Sequence, residues 1–338
     1  MSLAFSVNTP EGTRDRLFSE CLARRQVQRA LTDLFQRRGY GEVITPEVEY
    51  YDLFIQSGNP LPQEAMLKLI DRSGRIMVMR PDCTTPIARV AATKLKSVPL
   101  PQRLYYDQTV FRSNRAHDGG SSEIAQCGIE MIGAMGKKAD LEIIAMAVDA
   151  LRVCGICQFH VELGHAGFFR TLARQMDMPG DDLERMRAYI EGKNYAALND
   201  LLEPYRGQRA STALRRLPYL FGGVEILDEA QELGGESEAI GYLRQLYQEL
   251  DRAGYGGFVR FDLGLVHQID YYTGVVFRGY AEGAGRPVLS GGRYDALVEL
   301  FGRKAEATGF AVDVDAVGNC LTAVLPKLEL VIHYEDGC

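Results

Sequence analysis

The hydrophobic positions of this chain follow two different periods. Over residues 16–38 they recur at helical spacing, with Leu17, Val27, Leu31, Leu34 and Phe35 on one stripe, and predict a long amphipathic helix. "RRGYGEVITPEVEY" breaks that helix at Gly39 and continues as an extended, proline-containing segment. "GRIMVMRPD" reads as a short strand over residues 75–80. "TTPIARVAATKL" reads as a helix with a threonine cap and proline in its first turn. "QRLYYDQTVFR" and "SEIAQCGIEMIG" read as the arms of an antiparallel hairpin turning at Gly119-Gly120. Alternation in the second arm puts Gln126, Gly128 and Glu130 on one face. Ile124, Cys127, Ile129 and Met131 fit the other face imperfectly.

Residues 139–153 carry a further helical stripe of Leu141, Ile144, Ala145, Val148 and Leu151, and "QFHVELG" reads as a strand. Residues 167–254 are a succession of helices with charged outer faces, a helical insertion. Strands return with "GFVRFDLGL" and "IDYYTGVVFRGYAEG". "GGRYDALVELFG" reads as a glycine turn into a helix, and "ATGFAVDVDAVGNCL" as a strand running into a last helix. Two blocks of strands thus flank a helical block without regular βαβ alternation. The expected fold class is α+β with an antiparallel sheet flanked by helices.

Composition narrows the function classes. Of 338 residues, 46% are hydrophobic and 25% charged, which is ordinary for a globular chain. A net charge of −7 argues against a generally basic nucleic-acid face. No run approaches the roughly 18 apolar residues of a membrane span, and the first residues lack the pattern of a signal peptide. A cytoplasmic protein is expected. The cysteines lie mostly in apolar runs and read as reduced, buried thiols. "CGIC", Cys154 and Cys157, has no second pair to complete a four-ligand zinc site, so no metal is predicted.

Polar residues on the predicted sheet elements carry the candidate chemistry. Asp82, Arg112, Gln126, Glu130, Tyr271, Tyr272 and Tyr294 would each read as solvated if taken singly. As a set they meet the needs of an amino-acid site. Carboxylates hold an ammonium or a protonated ring, an arginine holds a carboxylate, and tyrosines supply apolar walls with polar tips. The glycines of "SGGRYDAL" either allow tight packing or approach a phosphate. His267 reads as a hydrogen-bonded structural histidine. Asp313 and Asp315, which strand alternation would put on one face, either ligate a metal or cap the next helix. "VFRSNRAHDGGSSEIAQCGIEMIG" has the outline of a polyphosphate-gripping hairpin, with Arg112 and Arg115 on its first arm. Its returning arm carries Ser121, Ser122 and Glu123 in place of cations.

Taken in order, "TPEGTRD", "GYGEVITP", "MRPDCTTPIARV", the Arg112 hairpin, "LVHQIDYYTGVVF", "SGGRYDALVELFG" and "TGFAVDVDAV" resemble the catalytic core of class II histidyl-tRNA synthetases, from about Thr9 to Leu325. The resemblance implies a class II synthetase-like core over residues 1–325, with the insertion at about 167–254. It leaves residues 326–338 as a short tail with no anticodon-binding domain, and implies pairing as a homodimer. It also implies a histidine-binding set: Glu130 at the imidazole end, Gln126 and Arg112 at the carboxylate end, and Asp82 and Thr84 at the ammonium. Tyr271, Tyr272 and Tyr294 would be the walls, and Arg115 would remain as one anion contact.

The departures fall on the nucleotide side. Two arginines and a stacking aromatic of the family hairpin correspond here to Gly120, Ser122 and Ile124. The arginine that acts in adenylate formation corresponds to His267, and the third-motif arginine to Ala316. Asp82 replaces a glutamate. At roughly 1.5–3 kcal/mol per charge-assisted hydrogen bond, losing the three arginines aimed at ATP, two in the hairpin and one in the third motif, removes on the order of 5–9 kcal/mol of stabilisation, or several powers of ten in rate. A core that keeps the amino-acid side and loses the activating side resembles the regulatory subunits of ATP phosphoribosyltransferase. That resemblance implies a non-catalytic chain without a cofactor. Its partner would be the short-form catalytic subunit, four of each, and L-histidine its effector, with no tRNA and no membrane bound. The rival expectations are an amino-acid adenylating enzyme of the synthetase type and an uncharged-tRNA sensor.

Overall fold

The computed structural model describes residues 7–56, 61–113, 121–266 and 271–321. The first helix, α1, spans Ser19–Arg37 and buries Ala23, Val27, Leu31, Leu34 and Phe35. It starts later than the stripe predicts. Phe18 holds a left-handed backbone (φ 45°), and Leu17 before it is exposed. Strands β1 (Gly41–Glu42) and β2 (Val48–Tyr50), helix α2 (Asp52–Gln56), and strands β3 (Lys68–Ile70) and β4 (Ile76–Met79) follow. Helix α3 covers Thr84–Ala92, and the long hairpin arms are β5 (Gln102–Phe111) and β6 (Glu123–Ile132). Next come α4 (Gly136–Val153) and β7 (Phe159–His165). The helical block is α5 (Ala166–Arg174), α6 (Gly180–Glu191), α7 (Tyr195–Leu202), α8 (Arg209–Arg216), α9 (Ile226–Gly234) and α10 (Glu238–Arg252), with β8 (Phe221–Gly222) among them. The chain returns through β9 (Val259–Asp262), β10 (Val275–Ala281), β11 (Leu289–Arg293) and β12 (Ala307–Asp313), and α11 (Val314–Asn319) follows.

Nine strands form one sheet in the order β1-β5-β6-β12-β11-β10-β7-β9-β8, and β2-β4-β3 form a small second sheet. From β5 to β7 every neighbouring pair is antiparallel; β1–β5 and β7–β9 are parallel. This is the α+β class expected from the element order. Alternation sorts the sheet into two faces. Cys127, Ile129, Met131, Val161, Leu163, Val275 and Phe277 join the main core with α1, α4 and α10. Leu104, Tyr106, Val110 and Ile132 join a smaller cluster with Ile87, Ala88 and Ala91 of α3. Both faces of β6 are therefore buried, and the imperfect alternation of its apolar residues is the sequence image of that.

"SGGRYDALVELFG" departs from expectation. Both glycines lie inside β11, and the helix expected after them is a single 3-10 turn, Glu299–Phe301. A Cβ on Gly292 would stand 2.7 Å from the Tyr272 ring, and one on Gly291 would stand 2.4 Å from the Gly309 carbonyl. The glycines serve close packing. Arg293, next in the chain, is a buried cation. Its guanidinium meets Asp140 of α4 at 2.8 Å, Asp295 at 3.0 Å and Glu306 at 3.3 Å, and donates to the Gly136 carbonyl at 3.2 Å. Tyr242 of α10 donates to the same Asp140. One arginine thus ties β11 to α4, and through Asp140 to the helical block.

Candidate functional site

The site is built on the even-numbered face of β6. Glu130 is the cross-strand neighbour of Gly309 on β12 and of Leu104 on β5. Its carboxylate lies over Gly309, where a Cβ would come within 2.0 Å of Oε2 and 2.3 Å of the Ile129 carbonyl. Gly128, one pair along, leaves room for the Tyr106 ring. Gly309→Ala is expected to lower stability by about 1–3 kcal/mol, because neither the backbone nor the buried carboxylate can give way. Urea denaturation checks it, and a variant as stable as the parent would contradict this packing.

Two hydroxyls hold Glu130. Tyr294, just past β11, donates to Oε2, and Thr84, the first residue of α3, donates to Oε1 at 2.7 Å. Burial pushes the Glu130 carboxyl up to about 8, although both hydroxyls pull it down. Thr84 is not the helix cap that the sequence predicts. The Thr85 amide is capped by Asp82, whose Oδ1 accepts it at 2.7 Å, and this leaves Thr84 to face the site. Arg112 extends from the end of β5. Its Nε donates to the Pro81 carbonyl at 2.8 Å, and burial lowers its pKa against the opposing pull of Asp82. Tyr271 stacks on Tyr294 at 5.5 Å and meets Tyr272 edge-on at 5.1 Å. Arg170 of α5 donates to the Tyr272 carbonyl.

Asp82, Thr84, Arg112, Gln126, Glu130, Tyr271, Tyr272 and Tyr294 all line one cavity of about 120 Å³. Sequence reasoning did not single out Leu61, Cys83, Tyr106, Ser290 or Phe310, which share the lining. Tyr106 had a signal, since it lies opposite Gly128 in the hairpin register. Arg115, His267 and Gly120 lie outside the described residues, as does the tail over residues 326–338. Asp313 caps α11, its Oδ1 accepting the Ala316 amide at 2.9 Å, and it pairs with Arg286 at 2.7 Å. Asp315 belongs to α11, not to the strand, and pairs with Arg16 at 2.9 Å. Among the described residues no group of three or more His, Cys, Asp or Glu is placed to hold a metal. Nor is any described helix long and apolar enough to cross a membrane. Cys154 is buried, Cys157 is exposed, and both are free thiols.

The cavity can host a small zwitterion with a ring. Its lining combines the carboxyls of Glu130 and Asp82, the Arg112 guanidinium, the Gln126 amide and the rings of Tyr271, Tyr272 and Tyr294. Residues 12–317 match the family described as histidyl-tRNA synthetase. The ATP phosphoribosyltransferase regulatory subunit of Clostridium kluyveri is 43% identical over 314 residues, covering 91% of this chain and 80% of the relative. A crystal structure from Bacillus halodurans, described as an ATP phosphoribosyltransferase regulatory subunit/histidyl-tRNA synthetase, superposes with a TM-score of 0.85. It is 34% identical and covers 94% of this chain and 83% of that one. Histidyl-tRNA synthetase from a Nostoc species shares the fold at a TM-score of 0.75 and 20% identity, over 92% of this chain and 74% of its own. The chain belongs to the histidyl-tRNA synthetase family, on the branch whose named members are ATP phosphoribosyltransferase regulatory subunits.

Proposed function

We propose that this chain is the non-catalytic regulatory subunit of an ATP phosphoribosyltransferase, working in the cytoplasm in the first step of histidine biosynthesis. It activates the short-form catalytic subunit, in a hetero-oligomer of four of each built on a homodimer of this chain. It also carries histidine feedback inhibition. The observation that carries this reading is the single cavity shared by the eight residues, with buried, protonatable Glu130 on its floor. The nucleotide side supports it. Ala316 stands where the synthetases have an arginine, and the nearby Asp313 carboxylate already holds a backbone amide and Arg286. Arg112, Gln126, Asp82 and Thr84 would hold the α-carboxylate and ammonium, and Glu130 the imidazole, between the three tyrosines. Histidine inhibits through this chain only if it binds the inhibited assembly more tightly than the active one.

Co-expression with a short-form catalytic subunit tests the reading. The expected result is a complex more active than the catalytic subunit alone and inhibited by histidine. Histidine-dependent exchange of pyrophosphate into ATP by this chain would instead favour the adenylating enzyme.

The raised carboxyl of Glu130 sets a pH profile. A free imidazole titrates near 6.5, and the empty site titrates at about 8. Between these values the pair of partners already carries the one proton that the carboxyl and the imidazole would share. Binding then neither takes up nor releases a proton, and affinity should be flat. Above about 8 a proton must be taken up, so affinity should fall about tenfold per pH unit. Below about 6.5 one must be released, so affinity should fall again. Calorimetry in buffers of different ionisation enthalpy measures both limbs; a monotonic profile across this range would contradict the shared proton.

A further inference from the structure

The sheet face that floors the first cavity continues past it. On that face Arg278 and Tyr280 of β10 lie opposite Glu162 and His160 of β7, and Asp262 ends the neighbouring β9. The helical block roofs this end, with Lys193 in the turn between α6 and α7 and Phe221 on β8. Between floor and roof is a cavity of about 350 Å³.

Its lining carries three carboxylates, Glu162, Asp262 and, beside Lys193 on the helical side, Glu191, together with the cations Lys193 and Arg278. Glu162 and Asp262 are neighbours, and the Glu162 side chain is only 9% exposed. Burial raises both carboxyls, and the charge of Asp262 raises Glu162 further. Lys193 and Arg278 line the same space, and their charges act on Asp262. Neither closes an ion pair with Glu162 or Asp262 among the described residues. The ion pair at Glu162 is with His160 Nε2, at 3.1 Å, and Asp262 Oδ1 accepts the Gly264 amide at 2.8 Å. Buried carboxylates held apart from nearby cations are costly unless something bridges them. An α-amino acid has the matching pattern: an ammonium for Glu162 and Asp262, and a carboxylate for Lys193 and Arg278. Tyr280, stacked on His160 at 5.6 Å, and Phe221 provide apolar surface for its side chain.

We propose that this cavity is a second small-molecule site, taking an amino-acid-sized zwitterion between a floor that carries Glu162, Asp262 and Arg278 and a roof that carries Lys193. The proposal does not depend on what the first cavity binds, since the two share no lining residue. Arg278 also borders an intermediate hollow that reaches Arg112 and Tyr272, so the two sites lie on one continuous face.

The test uses the full chain carrying Glu130→Ala, or Glu130→Gln if the first folds poorly, so that the first cavity is disabled. Each common L-amino acid is titrated by thermal shift and calorimetry. At least one is expected to bind, and Lys193→Ala and Asp262→Asn are each expected to weaken it roughly tenfold. Its amide and its deamino acid, each lacking one charge, should bind roughly tenfold more weakly as well. The proposal is overturned if no amino acid binds, or if binding is indifferent to both substitutions. Lys193 lies in an exposed turn, so its variant remains informative where Asp262→Asn does not fold.

Discussion

Glu130→Ala is expected to weaken histidine binding by about a hundredfold, and the near-isosteric Glu130→Gln to do so with no loss of stability in the ligand-free chain at pH 8. The first half follows from what the carboxylate would do. A hydrogen bond to a charged group contributes about 1.5–3 kcal/mol. Removing the acceptor also leaves the Tyr294 and Thr84 hydroxyls without this partner. The second half follows from the direction of the pKa shift. A carboxyl whose folded pKa is raised stabilises the fold below its unfolded value, near 4.5, and that contribution is lost as pH rises through about 8. At pH 8 the empty site therefore holds a charge that costs the fold. Glu130→Gln, nearly the same shape, should melt as high as the parent or higher at pH 8, while losing both histidine affinity and the pH limb above 8. Calorimetry and thermal melting on the same preparations separate the two effects. A Glu130→Gln chain that melts lower yet binds histidine normally would make this residue a structural acid and remove the basis of the effector site.

The second large effect is expected at Arg293. Arg293→Ala should destabilise the chain by about 3–5 kcal/mol, because it leaves Asp140, whose side chain is 0% exposed, without its cation. Burial alone would lower the pKa of Arg293, but Asp140 and Asp295 raise it on balance, so the guanidinium stays charged. Replacing both partners, Arg293→Met with Asp140→Leu, should recover much of the loss, since an apolar pair of similar volume carries no desolvation penalty. Thermal or urea denaturation of the two single variants and the double variant closes the cycle. Single variants that lose less than about 1 kcal/mol would mean that water reaches the pair.

What the sequence made legible was local. The α1 stripe, the β5–β6 hairpin and the passage from β12 into α11 each announce themselves within a window of about 20 residues, because periodicity and caps are near-neighbour effects. "SGGRYD" was misread for the same reason. Two glycines inside a strand look like two glycines in a turn, and only the approach of Tyr272 and of the β12 backbone decides between them. Arg293 gave no sign of burial, since Asp140 stands far from it along the chain. Thr84 and Asp82 were expected at the site, but the division of labour that has Asp82 cap α3 and frees Thr84 depends on three-dimensional placement. The site itself was legible as a set of residue types. Its enclosure depends on Tyr106, Phe310 and the strand glycines, which are unremarkable singly.

The bond from Arg170 to the Tyr272 carbonyl bears on transmission. It fastens the main chain of one aromatic wall to α5, at the root of the helical block. If the cavity holds the proposed effector, a guest that presses on that wall would load α5 and, through it, the helices beyond. Cutting the tie with Arg170→Met should leave the guest's affinity largely intact and blunt the catalytic partner's response to it, so that recognition and signalling separate in one protein.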